Sequence, residues 1–193
     1  MNMHRRSFIY GGLLLALAMT AGGIACRGRT TGQAELQELA ASMDRRLQIA
    51  GDVAWAKLGT GAPVHDVWRE NALLLRVESD AQARGLDAAA VRRFFENQLT
   101  ASRLWQQHLL DSWRAGEMPP SGRAPDLVTE LRPRMDEATK ELLAAWEAWT
   151  RATGRNVWNH EEDLLVVAHL RAAGYGEAVA TAASGRTAPV SAP

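Results

Sequence analysis

Apolar residues recur at steps of three and four along most of this chain, and no stretch alternates convincingly with period two. From Gln33 to about Leu58 the repeat is Leu36, Leu39, Ala40, Met43, Leu47, Ala50 and Ala54, one face of a long helix. Gly59-Thr60-Gly61-Ala62-Pro63 ends it, because glycine accepts the left-handed cap and proline cannot continue the helix. A second helix is predicted from His65 to Arg84, stopped by Gly85. Asp87 then caps a third helix of about 28 residues through Val91, Phe94, Phe95, Leu99, Trp105, Leu109 and Trp113. Gly116 to Gly122 is a loop, Pro125 opens a short helical turn, and Pro133 suits the first position of a helix reaching about Ala152. Gly154 breaks that helix, and further helices follow over Val157–Ala173 and Tyr175–Ala183. The fold predicted is all-α, a multi-helix bundle built on three long helices plus further C-terminal helices.

Polar residues interrupt these apolar faces at regular places. A helix turns about 100° per residue, so Arg46, Val53 and Lys57 fall on nearly one stripe. Asp66, Arg69, Glu70 and Leu73 are spaced i, i+3, i+4, i+7, again one face. Ser102 and Gln106 are i and i+4 on the third helix, with Leu99 just before them. Polar groups on three such stripes predict a polar pocket inside the bundle. Singly, each has a plainer reading. Arg46 and Asp66 read as solvated charges, Lys57 as a snorkelling helix-end cation, Ser102 as a small packing residue. The tryptophans at positions 55, 68, 105, 113, 146, 149 and 158 read as core rather than binding surface. Glu161-Glu162-Asp163 reads as an acidic first turn complementing a helix dipole.

Composition narrows the function. The 193 residues carry no formal net charge, which removes the electrostatic argument for nucleic acid. Cys26 is the one cysteine, the five histidines have no metal-ligand spacing, and no Gly-rich phosphate loop follows a strand. The sequence asks for no cofactor. Residues 1–26 read as an export signal: Arg5-Arg6, an apolar run from Phe8 to Ala21, then small residues. Arg5-Arg6-Ser7-Phe8-Ile9 also resembles a twin-arginine signal, and Cys26 stands where a lipoprotein would be acylated. Residues 27–32 are expected to be a flexible leader, 33–183 a single domain and 184–193 a loose tail.

The order Arg46-Leu47-x-x-Ala50-x-x-Val53-Ala54-x-x-Lys57, Asp66-x-x-Arg69-Glu70, and Phe94-Phe95-x-x-Gln98-Leu99-x-Ala101-Ser102-x-x-x-Gln106 resembles the all-helical chorismate mutases. Pro125-Asp126-Leu127, Leu131-Arg132-Pro133 and the export signal are similar to the secreted, periplasmic (gamma) subclass. The resemblance spans about residues 33–152, with no motif match beyond. Some secreted members carry a disulfide in their later part; this chain, with Cys26 alone, must hold its last helices by packing.

The resemblance implies a Claisen rearrangement of chorismate to prephenate, in which the protein holds the dicarboxylate in its reactive form and stabilises charge on the ether oxygen. It implies that Arg46, Arg69 and Arg132 meet the carboxylates, and that Lys57 and Gln106 donate to the ether oxygen. Asp66 and Glu70 would meet the ring hydroxyl or orient cations, Ser102 would add a polar contact, and Val53 and Leu99 would be apolar walls. In the small cytoplasmic relatives an arginine from a partner subunit completes the site. Here the corresponding region holds Arg29, in a poor helix, whereas Arg132 precedes Pro133 at a helix amino end that favours an anion. One site per subunit is therefore expected, with or without a homodimer. The rival readings are a periplasmic helical protein that binds a small aromatic or dicarboxylate anion without turnover, and a helical interaction module.

Overall fold

The computed structural model describes residues 32–186, so the expected export signal, Cys26, Arg29 and the last seven residues of the expected tail lie outside the described residues. Among the described residues all regular structure is helical: α1 (Gln33–Thr60), α2 (Val67–Ala83), α3 (Ala88–Arg114), a π turn (Leu127–Leu131), α4 (Arg132–Thr153), α5 (His160–Ala172) and α6 (Glu177–Ser184). No described helix is long and apolar enough to cross a membrane.

Cross-helix pairs fix the directions. Arg46 meets Ser102, and the Gly51 backbone lies beside Trp105 and Leu109, so α1 and α3 run the same way. Glu70 pairs with Arg103 and Glu78 with Arg92, so α2 returns antiparallel to α3. Arg134 pairs with Asp52 and Arg45 with Glu141, so α4 is antiparallel to α1. Gly51 matters to this arrangement. A Cβ there would sit 3.3 Å from Trp105 Nε1 and 3.5 Å from Leu109 Cδ1, so the missing side chain lets α3 approach midway between Arg46 and Lys57. A mid-helix glycine costs about 1 kcal/mol against alanine, which the close approach must offset.

The main core joins Leu39, Met43 and Leu47 of α1 to Phe94 and Phe95 of α3 and Trp146 and Trp149 of α4. Phe94 stacks on Trp146 at 4.4 Å, and Trp158 sits edge-on to Phe94, Trp146 and Trp149. Each buried ring takes roughly 200 Å² from water, an upper bound of about 5 kcal/mol. Tyr175 packs edge-on to Trp105 and donates to Asp44 Oδ1 at 2.8 Å, while Gln98 Nε2 donates to Ala183 O at 2.8 Å. These contacts fasten the C-terminal helices behind α1 and α3 without a disulfide. Burial and the bond to Asp44 push the Tyr175 hydroxyl well above the usual phenol range.

Three expectations need correction. Trp68 is 88% exposed, not core, because the inward face of α2 is taken by Leu73, Leu74, Val77 and Ala81. The helix expected from Val157 starts at His160, where Asn159 and Glu162 form a capping box that leaves Val157 outside. The helix expected from Pro133 starts at Arg132 and continues the π turn, whose Asp126 side chain accepts from Val128 N and Thr129 N.

Candidate active site

Arg46, Val53, Lys57, Asp66, Arg69, Glu70, Leu99, Ser102, Gln106 and Arg132 all line one cavity of about 260 Å³ between α1, α2, α3 and the start of α4. Its apolar side is a small separate cluster in which Val53, Leu127 and Met135 pack on Ile49, Ala56, Leu131 and Ala138. A larger cavity, about 440 Å³, lies between the first turns of α3 and α5 and the end of α6 and holds none of these ten residues. Its buried carboxylate, Asp163, is already matched by Arg186 at 3.1 Å. Convergent unmatched charge, not size, distinguishes the smaller cavity.

Arg46 is 2% exposed, with Nη1 donating to Ser102 Oγ at 2.9 Å and to Gln98 O at 3.4 Å. Ser102 Oγ in turn donates to Gln98 O at 2.8 Å, closing a small network of neutral acceptors. Arg46 Nε has no hydrogen-bond partner among the described residues, and burial lowers the guanidinium pKa to about 10 against a smaller opposing pull from Glu70. This guanidinium is charged, dehydrated and without a salt bridge among the described residues. A buried cation in that condition is costly unless an anion arrives.

Lys57 Nζ donates to Val64 O at 3.0 Å and to Gln106 Oε1 at 3.0 Å. Because the ammonium only donates, it fixes the Gln106 amide with oxygen toward lysine and leaves the Nε2 hydrogens for the cavity. Burial holds the Lys57 pKa below the usual lysine value, and the carboxylates of Asp66 and Glu70 oppose the fall. Asp66 itself is the N-cap of α2, its Oδ1 accepting Arg69 N at 3.1 Å, so one residue both starts the helix and borders the cavity. Arg69 has its pKa lowered by burial and next by the nearby positive charge of Arg132. Two guanidinium groups close enough to repel mark a place for an anion.

The structure brings the Arg132 side chain to the cavity but does not give the open helix end expected of its backbone. The guanidinium borders the cavity, but Arg132 N already donates to Leu127 O, because α4 continues the π turn. No open helix end with spare N–H groups is present there, so anion attraction at this corner rests on the side chain. Sequence reasoning also missed Arg103, which lines the cavity and pairs with Glu70. An arginine next to Ser102 reads as solvated in the sequence, and only the antiparallel docking of α2 on α3 brings Glu70 to it.

A family model for chorismate mutase type II matches residues 37–107. The chain is 27% identical over 140 residues to the secreted chorismate mutase of Mycobacterium tuberculosis, covering 72% of this chain and 69% of that protein. Among solved structures it is similar to a chorismate mutase from Burkholderia thailandensis, 36% identical with TM-score 0.67 over 79% of this chain and 96% of that one. It is also similar to one from Burkholderia phymatum, 25% identical with TM-score 0.69 over 80% and 96%. The matched stretch carries the guanidinium of Arg46, the Lys57–Gln106 pair and the Asp66 cap, and the fold is similar over most of the thailandensis structure. This chain belongs to the chorismate mutases.

Proposed function

We propose that this chain rearranges chorismate to prephenate outside the cytoplasm, one complete site per subunit, using the ten residues around the cavity. The observation that carries the reading is the buried guanidinium of Arg46, unmatched by any described carboxylate and facing a cavity that Lys57, Arg69 and Arg132 also border. These four cations, converging on one cavity, suit a dicarboxylate. A non-catalytic anion binder would share them, but it would have no use for a lysine that sets a glutamine amide with its donors free.

The reaction is unimolecular: a carbon–oxygen bond breaks as a carbon–carbon bond forms, with no nucleophile and no covalent intermediate. The protein can lower the barrier only by selecting the reactive conformer and by meeting charge that grows in the transition state. In our reading Arg46, Arg69 and Arg132 hold the two carboxylates, and Val53 and Leu99 press the carbon skeleton into its chair-like form. Gln106 Nε2 and Lys57 donate to the ether oxygen as it gains negative charge, where fixed donors in a dry site are worth most. Asp66 and Glu70 meet the ring hydroxyl or orient the cations, and Ser102 carries Arg46. Export is supported by the secreted relative. Removal of the segment 1–26, lipid attachment at Cys26 and a homodimer are separate parts of the proposal.

The test is the loss of the chorismate ultraviolet band on adding purified protein, with prephenate identified as the product. Saturable binding of chorismate with no turnover would favour the anion-binding reading instead.

A further inference from the structure

Arg103 follows Ser102 and precedes Gln106 by one helical turn, so α3 brings it to the cavity beside both. Its Nη1 donates to Glu70 Oε2 in a close ion pair, and its Nη2 donates to Thr100 Oγ1 at 3.0 Å. Thr100 Oγ1 is itself set by donating to Glu96 O at 3.0 Å. The guanidinium is thus held at two points, one on α2 and one on its own helix, before any ligand enters. Glu70 is mostly buried, with its side chain 16% exposed, and Oε1 accepts no hydrogen bond from a described residue. His65 Nε2 stands 3.6 Å from the same Oε2 that Arg103 takes.

Glu70 also pulls electrostatically on Arg46 and Lys57, the two cations deepest in the site. Five cations border the cavity (Arg46, Lys57, Arg69, Arg103, Arg132) against two carboxylates, Asp66 and Glu70. Were Glu70 not matched by Arg103, its charge would fall to His65 at 3.6 Å and to Lys57 and Arg46, on which it already pulls. Lys57 would then be drawn off the Gln106 amide, and Arg46 would be partly neutralised before a substrate carboxylate reached it. An arginine suits this task better than lysine, because its planar fork can bond Glu70 and Thr100 together.

We propose that Arg103 is a positioning residue. It holds Glu70 by Oε2, leaves Oε1 for the substrate hydroxyl, and keeps Lys57 and Arg46 committed to the substrate rather than to Glu70. This rests on the proposed function and goes beyond it, since Arg103 acts through Glu70 and touches no reacting atom.

The experiment is a kinetic double-mutant cycle on chorismate with the wild type, Arg103→Met, Glu70→Gln and the double variant, each checked by its melting temperature. Arg103→Met is expected to lower kcat/KM by about tenfold or more, and Arg103→Lys to restore part of it. Thr100→Val, which keeps the guanidinium but loosens its second anchor, is expected to cost about two- to fivefold in kcat/KM. In the Glu70→Gln background, Arg103→Met is expected to change kcat/KM by less than about twofold, because the carboxylate it serves is gone. The same tenfold loss in that background would overturn the proposal, since Arg103 would then act on the substrate directly or on the fold. An Arg103→Met enzyme within about twofold of wild type would overturn it too. A wild type that does not consume chorismate would overturn the functional reading and this inference together, whereas an active wild type with additive variants overturns the role of Arg103 alone.

Discussion

Replacing Arg46 by Met should make the protein more stable and nearly inactive. The side chain is 2% exposed, and a methionine, shorter but of comparable volume, fills most of its space without opening a large cavity. Burial lowers the guanidinium from its ordinary pKa to about 10, and at about 1.4 kcal/mol per tenfold change in proton affinity the cost is on the order of 3 kcal/mol. The sign follows from proton binding. Between about pH 10 and the ordinary guanidinium pKa the unfolded chain binds more protons than the folded one, so this group makes stability rise with pH only through that window. At neutral pH the whole cost stands. Against it, Met loses the bonds to Ser102 Oγ at 2.9 Å and Gln98 O at 3.4 Å, worth about 1 kcal/mol each at most. The net is a gain of about 1–2 kcal/mol, or about 3–6 °C in melting temperature for a domain of this size. The check is calorimetry of both proteins without ligand, repeated with saturating prephenate. Prephenate at about a hundred times Kd should stabilise the wild type by about 2.7 kcal/mol. At the same ligand concentration it should stabilise the variant far less. A ligand-free variant that melts several degrees below wild type would refute the reasoning, because the guanidinium would then be a structural asset.

Four further outcomes are expected. Gln106→Glu should lose most activity at neutral pH and recover as pH falls, since a carboxyl donates only when protonated; Gln106→Leu should lose activity without recovery, and a flat, fully active profile for the Glu variant would remove Gln106 from the mechanism. The pH profile of kcat/KM should fall on the alkaline side at a value below that of free lysine, because burial lowers the pKa of Lys57 and the cation is lost as pH rises through it; a Lys57→Arg enzyme that keeps the same alkaline fall would exclude this assignment. Arg132→Ala should lower kcat/KM by orders of magnitude and Arg29→Ala should be nearly silent, and the reverse would mean a site completed by a partner subunit. Intact-mass measurement of the exported protein should find an unmodified amino terminus between Gly22 and Arg27, whereas an acylated Cys26 would make it a lipoprotein.

Much of this protein is local and therefore readable in the chain. The starts at Asp87 and the stops at Gly61 and Gly154 follow from side-chain caps and left-handed glycine, which depend on a few neighbouring residues. The stripes of Arg46, Val53 and Lys57, and of Ser102 and Gln106, follow from helical period alone, whereas all ten named residues border one cavity because the helices dock those faces together. What the period cannot give is which helix faces which. Trp68 lies outside because the inward face of α2 was already filled, a fact of docking rather than of hydrophobicity. Arg103 carries no signal in the sequence, and only the antiparallel return of α2 sets Glu70 against it. The packing of α1 on α3 turned Lys57 toward the oxygen of Gln106 and left Arg46 buried without a described carboxylate, so the direction of an amide and the cost of a charge belong to the tertiary structure. Hydrogen bonds and desolvation act over a few ångströms, and residues separated by roughly fifty positions in the chain come that close only after the helices pack.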